Sequence, residues 1–133
     1  MFEIEKEFRW EAAHSLPMMP DGHQCKRPHG HSYKLVVCCR GEKAGDFGFA
    51  CGLDYADLAF VVRARVVDRL DHQNMNDFVS PSTAECLCEW IWDQLSELPG
   101  LHRVDLYETP TTRLSYFGSS DSGPVARYFG GVR

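Results

Sequence analysis

The sequence has no apolar run of membrane-spanning length, and Met1-Phe2-Glu3-Ile4-Glu5-Lys6-Glu7 has neither the basic start nor the apolar stretch of a signal peptide. A cytoplasmic protein that does not enter membranes is the expectation. There is no excess of positive charge: 14 Lys and Arg against 19 Asp and Glu leave −5 at pH 7. Without a long basic run, such a chain is a poor non-specific binder of nucleic acid or of a membrane surface. There is no Cys-x-x-Cys pair, so neither a zinc ribbon nor a thioredoxin-like site is supported. No internal repeat or low-complexity block interrupts the 133 residues. Disorder is not expected either, because 44% hydrophobic and 25% charged residues are ordinary globular values, and the length suits one domain with one core.

What stands out is six Cys and six His. In a reducing compartment the cysteines are thiols rather than disulfides. Cys38 and Cys39 lie in an apolar run, and Cys86 and Cys88 on a helix-like stretch; these four read as buried small hydrophobes. Cys25 differs. It lies in Asp21-Gly22-His23-Gln24-Cys25-Lys26-Arg27-Pro28-His29-Gly30-His31, a loop-like stretch in which Lys26 and Arg27 follow the cysteine. Neighbouring positive charge favours the thiolate and so a reactive sulfur. Four of the six histidines fall between residues 14 and 31.

Residues 2–14 alternate, with Phe2, Ile4, Phe8, Trp10, Ala12 and His14 on one parity, which predicts a strand with His14 at the end of its apolar face. Residues 29–40 read as a second strand carrying His29, His31, Tyr33, Leu35, Val37 and Cys39 on one face. The long connection 15–28 has the character of a functional loop. Residues 41–53, with four glycines, read as loop. Asp54 is a good N-cap for a helix over about 55–70, where Leu58, Val62, Val66 and Leu70 recur at helical spacing. Ser82-Thr83-Ala84-Glu85 reads as a capping box with Ser82 at the N-cap, opening a helix that Pro99-Gly100 ends. Leu101–Glu108 and Arg113–Gly118 are the last two strands. The expected order is strand, strand, helix, helix, strand, strand. Residues 1–118 form one domain in this reading, and 119–133 a weakly ordered tail.

His29-Gly30-His31 on a strand puts two imidazoles on one face, about 7 Å apart along the backbone. If the first two strands pair antiparallel, His14 joins them. Three neutral imidazoles with an open fourth position make a catalytic zinc site, although imidazole also suits copper, iron and nickel. Cys25 then has two readings: a fourth ligand that closes the site, or a free thiol beside an open metal, acting as base or nucleophile. In Asp71-His72 the carboxylate could fix the tautomer of the imidazole. Glu108 ends an inward-facing apolar stripe, where it reaches solvent or clamps a ligand with adjacent N–H donors. His23 and His102 read as loop or surface histidines.

In order along the chain stand Trp10-Glu11-Ala12-Ala13-His14, Gly22-His23-Gln24-Cys25, Cys25-x-x-x-His29-Gly30-His31, Leu70-Asp71-His72-x-x-Met75-Asn76, Ser82-Thr83-Ala84-Glu85 and Tyr107-Glu108-Thr109. The set resembles the 6-pyruvoyl-tetrahydropterin synthase superfamily over residues 5–118. It looks most like the bacterial branch, the 6-carboxy-5,6,7,8-tetrahydropterin synthases of queuosine precursor synthesis. The resemblance implies an α+β tunnelling fold (T-fold): a four-stranded antiparallel sheet with two helices between its second and third strands. It also implies a homo-oligomer, a trimer or a dimer of trimers, with sites at subunit interfaces.

Carried over by residue, the resemblance makes His14, His29 and His31 the Zn2+ ligands and Cys25 the catalytic cysteine. Asp71 and His72 become the pair that works with it, and Glu108 the anchor of the pterin ring. Lys26 and Arg27 are candidates for a substrate triphosphate. Two departures stand out: Trp10 replaces the usual Phe, and Ser82 a common Pro. The implied reaction converts 7,8-dihydroneopterin triphosphate to 6-carboxytetrahydropterin with release of acetaldehyde and triphosphate. The rivals are a 6-pyruvoyl-tetrahydropterin synthase on the same scaffold, a dihydroneopterin aldolase, and a non-catalytic module with a Cys-plus-three-His structural zinc.

Overall fold

A computed structural model describes residues 1–119. The sequence expectation for the tail from 120 to 133 lies outside the described residues. Strand β1 (Phe2–His14) and strand β2 (His29–Gly41) pair antiparallel along their whole length, from Phe2 opposite Gly41 to His14 opposite His29. Strands β5 (Leu101–Thr109) and β6 (Thr112–Tyr116) complete an antiparallel sheet of order β1-β2-β5-β6. The alternation read from the sequence is realised: Phe8, Trp10, Ala12, Tyr33, Leu35, Val37, Cys39, Val104 and Leu106 are buried on the helix-covered face.

Residues 41–53 are not all loop, as expected from their glycines. They hold a small hairpin of β3 (Lys43–Ala44) and β4 (Phe49–Ala50), whose turn uses positive φ at Gly45 and Gly48. Strands of two residues are too short for alternation to reveal.

Helix α1 (Tyr55–Val62) opens on Asp54, whose Oδ1 accepts the Asp57 N–H at 2.7 Å. It runs on through a π-helical stretch (Arg63–Val67) into the short α2 (Asp68–Leu70). A strict i, i+4 spacing drifts by about 40° per step around a 3.6-residue helix. The wider π turns take up that drift and keep Val62, Val66 and Leu70 fully buried.

Helix α3 (Ala84–Gln94) corrects a second expectation. Its N-cap is Thr83, whose hydroxyl accepts the Cys86 N–H at 3.3 Å, and not Ser82. Ser82 is completely buried and its hydroxyl turns the other way. Leu87, Cys88, Ile91, Leu95 and Leu98 pack onto the sheet, while Trp90 stays half-buried beside Phe78. The other sheet face carries charge: Arg103 bonds Glu5 and Asp105, and Asp105 also accepts the Ser115 hydroxyl at 2.6 Å.

Candidate active site

The antiparallel register brings the three histidines together. His14 is the last residue of β1 and stands opposite His29, the first of β2; His31 stands opposite Ala12 on the same face. The ring centroids are 4.5 Å (His14–His29), 5.1 Å (His14–His31) and 4.9 Å (His29–His31) apart. One nitrogen from each ring lies within 4.8 Å of the other two.

Two of the rings have fixed tautomers. His14 Nδ1 lies 2.9 Å from the main-chain oxygen of Ser82, and His29 Nδ1 lies 2.8 Å from that of Arg27. A carbonyl only accepts, so both Nδ1 atoms carry the proton and both Nε2 atoms keep a lone pair. His14 Nε2 is buried with no partner. A buried polar atom left unpaired costs stability unless something fills the role. Burial pushes the pKa of His31 below the ordinary imidazole value, more than Glu108 raises it, which favours the neutral, ligand-competent ring. A divalent transition metal fits this donor set.

Loop 15–28 folds back over the end of β1, the Leu16 N–H donating to the Cys25 carbonyl at 2.7 Å. Cys25 sits in a single 3-10 turn (Gln24–Lys26), where its N–H donates to His23 Nδ1 at 3.1 Å. His23 is therefore a local cap, more specific than a plain loop histidine. Cys25, Arg27, the three histidines and Glu108 line one cavity of about 530 Å³. Cys25 is half-buried and is not part of the close imidazole set. Glu108 Oε2 stands 3.8 Å from His31 Nε2. The two cations part company: Lys26 pairs with Asp21, whereas Arg27 faces the cavity.

Asp71 and His72 lie elsewhere. Asp71 Oδ1 accepts from His72 Nδ1 at 3.0 Å and from the Glu11 N–H at 3.0 Å. The Glu11 N–H, opposed by desolvation and helped by the His72 ring, holds the Asp71 carboxyl below the usual carboxylate range. His72 adopts φ 60° and returns its own N–H to the Glu11 carbonyl at 2.6 Å. This stretch covers only the last few residues of the outer edge of β1, at Glu11 and Ala13, and borders a separate, open depression with Gly30, His31 and Ser32. The depression shares His31 with the first cavity but not Cys25 or Glu108. Within one chain the structure thus joins seven of the nine residues expected at the site into one neighbourhood, Lys26 at its margin, and leaves the half-buried Asp71 and the exposed His72 outside it.

Three residues that sequence reasoning did not assign bear on the site. Ser82 and Asn76 form a buried polar hub behind His14. Tyr33 lies edge-on to the His14 and His31 rings, centroids 6.2 and 5.5 Å away, with a buried hydroxyl that has no partner. Burial pushes its pKa well up, and Glu108 adds to the shift. Asn76 stood in the quoted motif and Ser82 in the capping box, so the signal for both was present but pointed to other roles. His102, 3.9 Å from Glu3, takes no part in the site. Among the described residues no helix is long and apolar enough to cross a membrane.

The family model described as 6-pyruvoyl tetrahydropterin synthase matches residues 3–119. A Synechocystis protein named 6-carboxy-5,6,7,8-tetrahydropterin synthase is 37% identical over 124 residues, covering 88% of this chain and 94% of its own. A Haemophilus influenzae protein of the same name is 32% identical, covering 87% and 99%. The human 6-pyruvoyl tetrahydrobiopterin synthase is 35% identical over 71% of each chain. Among solved structures, 6-pyruvoyl tetrahydropterin synthase from Caenorhabditis elegans superposes with a TM-score of 0.76 at 27% identity, covering 89% of this chain and 96% of that one.

Proposed function

The chain belongs to the 6-pyruvoyl tetrahydropterin synthase family, and from that premise we propose that it is a carbon–carbon lyase making 6-carboxy-5,6,7,8-tetrahydropterin from 7,8-dihydroneopterin triphosphate. Acetaldehyde and triphosphate are the other products. In sequence, the Synechocystis and Haemophilus influenzae relatives that carry that name align along most of both chains, whereas the human protein named for the pyruvoyl product aligns over 71% of each. The observation that carries the reading is the single cavity in which three imidazoles, a free thiol and a carboxylate meet.

His14, His29 and His31 are the groups that would hold Zn2+, with Nε2 of His14 and His29 free for it. Bound there, the cation supplies a Lewis acid for the oxygens of the substrate side chain. The Cys25 thiol, beside but outside the imidazole set, is the group to take a side-chain proton. Glu108 faces the cavity and suits the 2-amino and ring N–H edge of a pterin through charge-assisted bonds. Arg27 is the better placed cation for the triphosphate, since Lys26 is held by Asp21. Glu108 Oε2 stands 3.8 Å from His31 Nε2, so the ring it holds lies next to the imidazole set.

His72, kept in one tautomer by Asp71, would move the other proton. Because it opens on a different depression from Cys25, it serves the Cys25 cavity of a neighbouring copy. A trimer or dimer of trimers would bring the two together and cover the open sheet edges of β1 and β6. Residues 1–118 act as the catalytic unit, in the cytoplasm and in the supply of queuosine precursors; the six free thiols suit a reducing compartment.

Product analysis tests the reading. Zinc-loaded protein incubated with 7,8-dihydroneopterin triphosphate should release acetaldehyde in step with triphosphate. Triphosphate without acetaldehyde would make it a 6-pyruvoyl-tetrahydropterin synthase, and no turnover would favour a structural zinc module.

A further inference from the structure

We infer that Asn76 and Ser82 form a positioning device that holds His14 in the one ring orientation and tautomer useful for binding metal. The inference rests on the reading of the three imidazoles as a metal site.

His14 is where the β1 ladder ends, so Ser15 has no strand opposite it. The side-chain amide of Asn76 takes the place of that strand. Its Oδ1 accepts the Ser15 N–H at 2.9 Å and its Nδ2 donates to the Ser15 carbonyl at 2.9 Å. Both main-chain groups that follow His14 are thereby held by one planar group. Asn76 is itself fixed in a 3-10 turn (Met75–Asp77), its own N–H donating to Asn74 Oδ1 at 3.0 Å beside the completely buried Met75.

The same Asn76 oxygen accepts the Ser82 hydroxyl at 2.9 Å. Ser82 has one hydroxyl proton and two neighbours to receive it; the Ser15 carbonyl is farther, at 3.2 Å. Spent on Asn76, the hydroxyl leaves its lone pairs toward His14 Nδ1, 3.2 Å away, while the Ser82 carbonyl takes the Nδ1 proton at 2.9 Å. The ring proton is shared between two acceptors of one residue, and that residue is pinned through its side chain. Three separated stretches, the end of β1, the 3-10 turn and the approach to α3, converge on one imidazole. The only side-chain nitrogen left without a partner in this hub is the buried His14 Nε2. A polar hub this complete, placed behind a ring and leaving one atom bare, is the arrangement that fixes a metal-binding histidine.

The test uses the full chain with zinc and cobalt(II) as probes. Ser82→Ala removes one oxygen and leaves the carbonyl. Asn76→Ala removes the two-point hold on Ser15. Thr83→Ala, next in sequence, removes the α3 cap without touching His14 and controls for general loosening. Zinc affinity is read by competition with a chromophoric chelator, and ligand geometry from the cobalt(II) absorption bands. The expected result is affinity weaker by about 10- to 100-fold in Ser82→Ala and Asn76→Ala, with altered cobalt bands, while Thr83→Ala stays within about twofold of the parent. If Asn76→Ala does not fold, Ser82→Ala carries the comparison. Parental affinity and bands in folded Ser82→Ala, or an equal loss in Thr83→Ala, would overturn the inference alone. A parent chain that binds neither metal would overturn it together with the metal-site reading.

Discussion

His14 and His29 face each other at the open end of the β1–β2 ladder, with ring centroids 4.5 Å apart. Both present Nε2, because both Nδ1 atoms are bound to carbonyls. His29→Ala should therefore abolish stoichiometric zinc binding while leaving the apo fold intact, since His29 is only half-buried. Elemental analysis checks this, and one zinc per chain in the variant would contradict the three-histidine site.

Glu108 lies within the cavity but outside the imidazole set. Glu108→Gln keeps the shape and removes the charge, so KM for the pterin triphosphate should rise by about 10- to 100-fold, the worth of a charge-assisted bond. Zinc content should not change. Steady-state kinetics with metal analysis separates this from damage to the metal site, which would lower zinc content and kcat together.

Cys25 and His72 open on different depressions of one chain. If each site is completed by a neighbouring copy, Cys25→Ala and His72→Ala protein should each be inactive alone and regain activity when unfolded and refolded together. Mixed oligomers that form but stay inactive would contradict the shared site.

The Tyr33 hydroxyl is buried and unpaired against the stacked Trp10 ring, 5.6 Å between centroids. An unsatisfied buried hydroxyl is a cost, so Tyr33→Phe should leave apo stability unchanged or raise it by about 1 kcal/mol. Urea denaturation measures it; a loss of more than about 1 kcal/mol would mean that the hydroxyl is bonded in the folded state.

The histidine cluster was legible because period two is a strict rule: His14 closes one apolar parity, His29 and His31 open another, and an antiparallel pair joins the ends. Loop 15–28 has no period, so nothing in it could tell that Cys25 would turn into the cavity and Lys26 toward Asp21. Ser82-Thr83-Ala84-Glu85 fits a capping box only with Ser82 as the cap, three residues before Glu85, whereas Thr83 stands three before Cys86. The choice fell to Thr83 because Ser82 is drawn to His14 and Asn76, partners more than five residues away in sequence. Asp71-His72 was visible as a pair, but its distance from Cys25 depends on the positive φ of His72 and its bonds to Glu11. Neither leaves a sequence signal.

The division of labour at the cavity is the central claim: three imidazoles hold the metal and Cys25 is free for proton transfer. Cys25→Ala, assayed for zinc and acetaldehyde in the same preparation, tests it most directly. The account predicts one zinc per chain, as in the parent, and a turnover rate lower by about 100-fold or more. Loss of zinc together with activity would make Cys25 a fourth ligand and the site a closed, structural one, and so contradict the account.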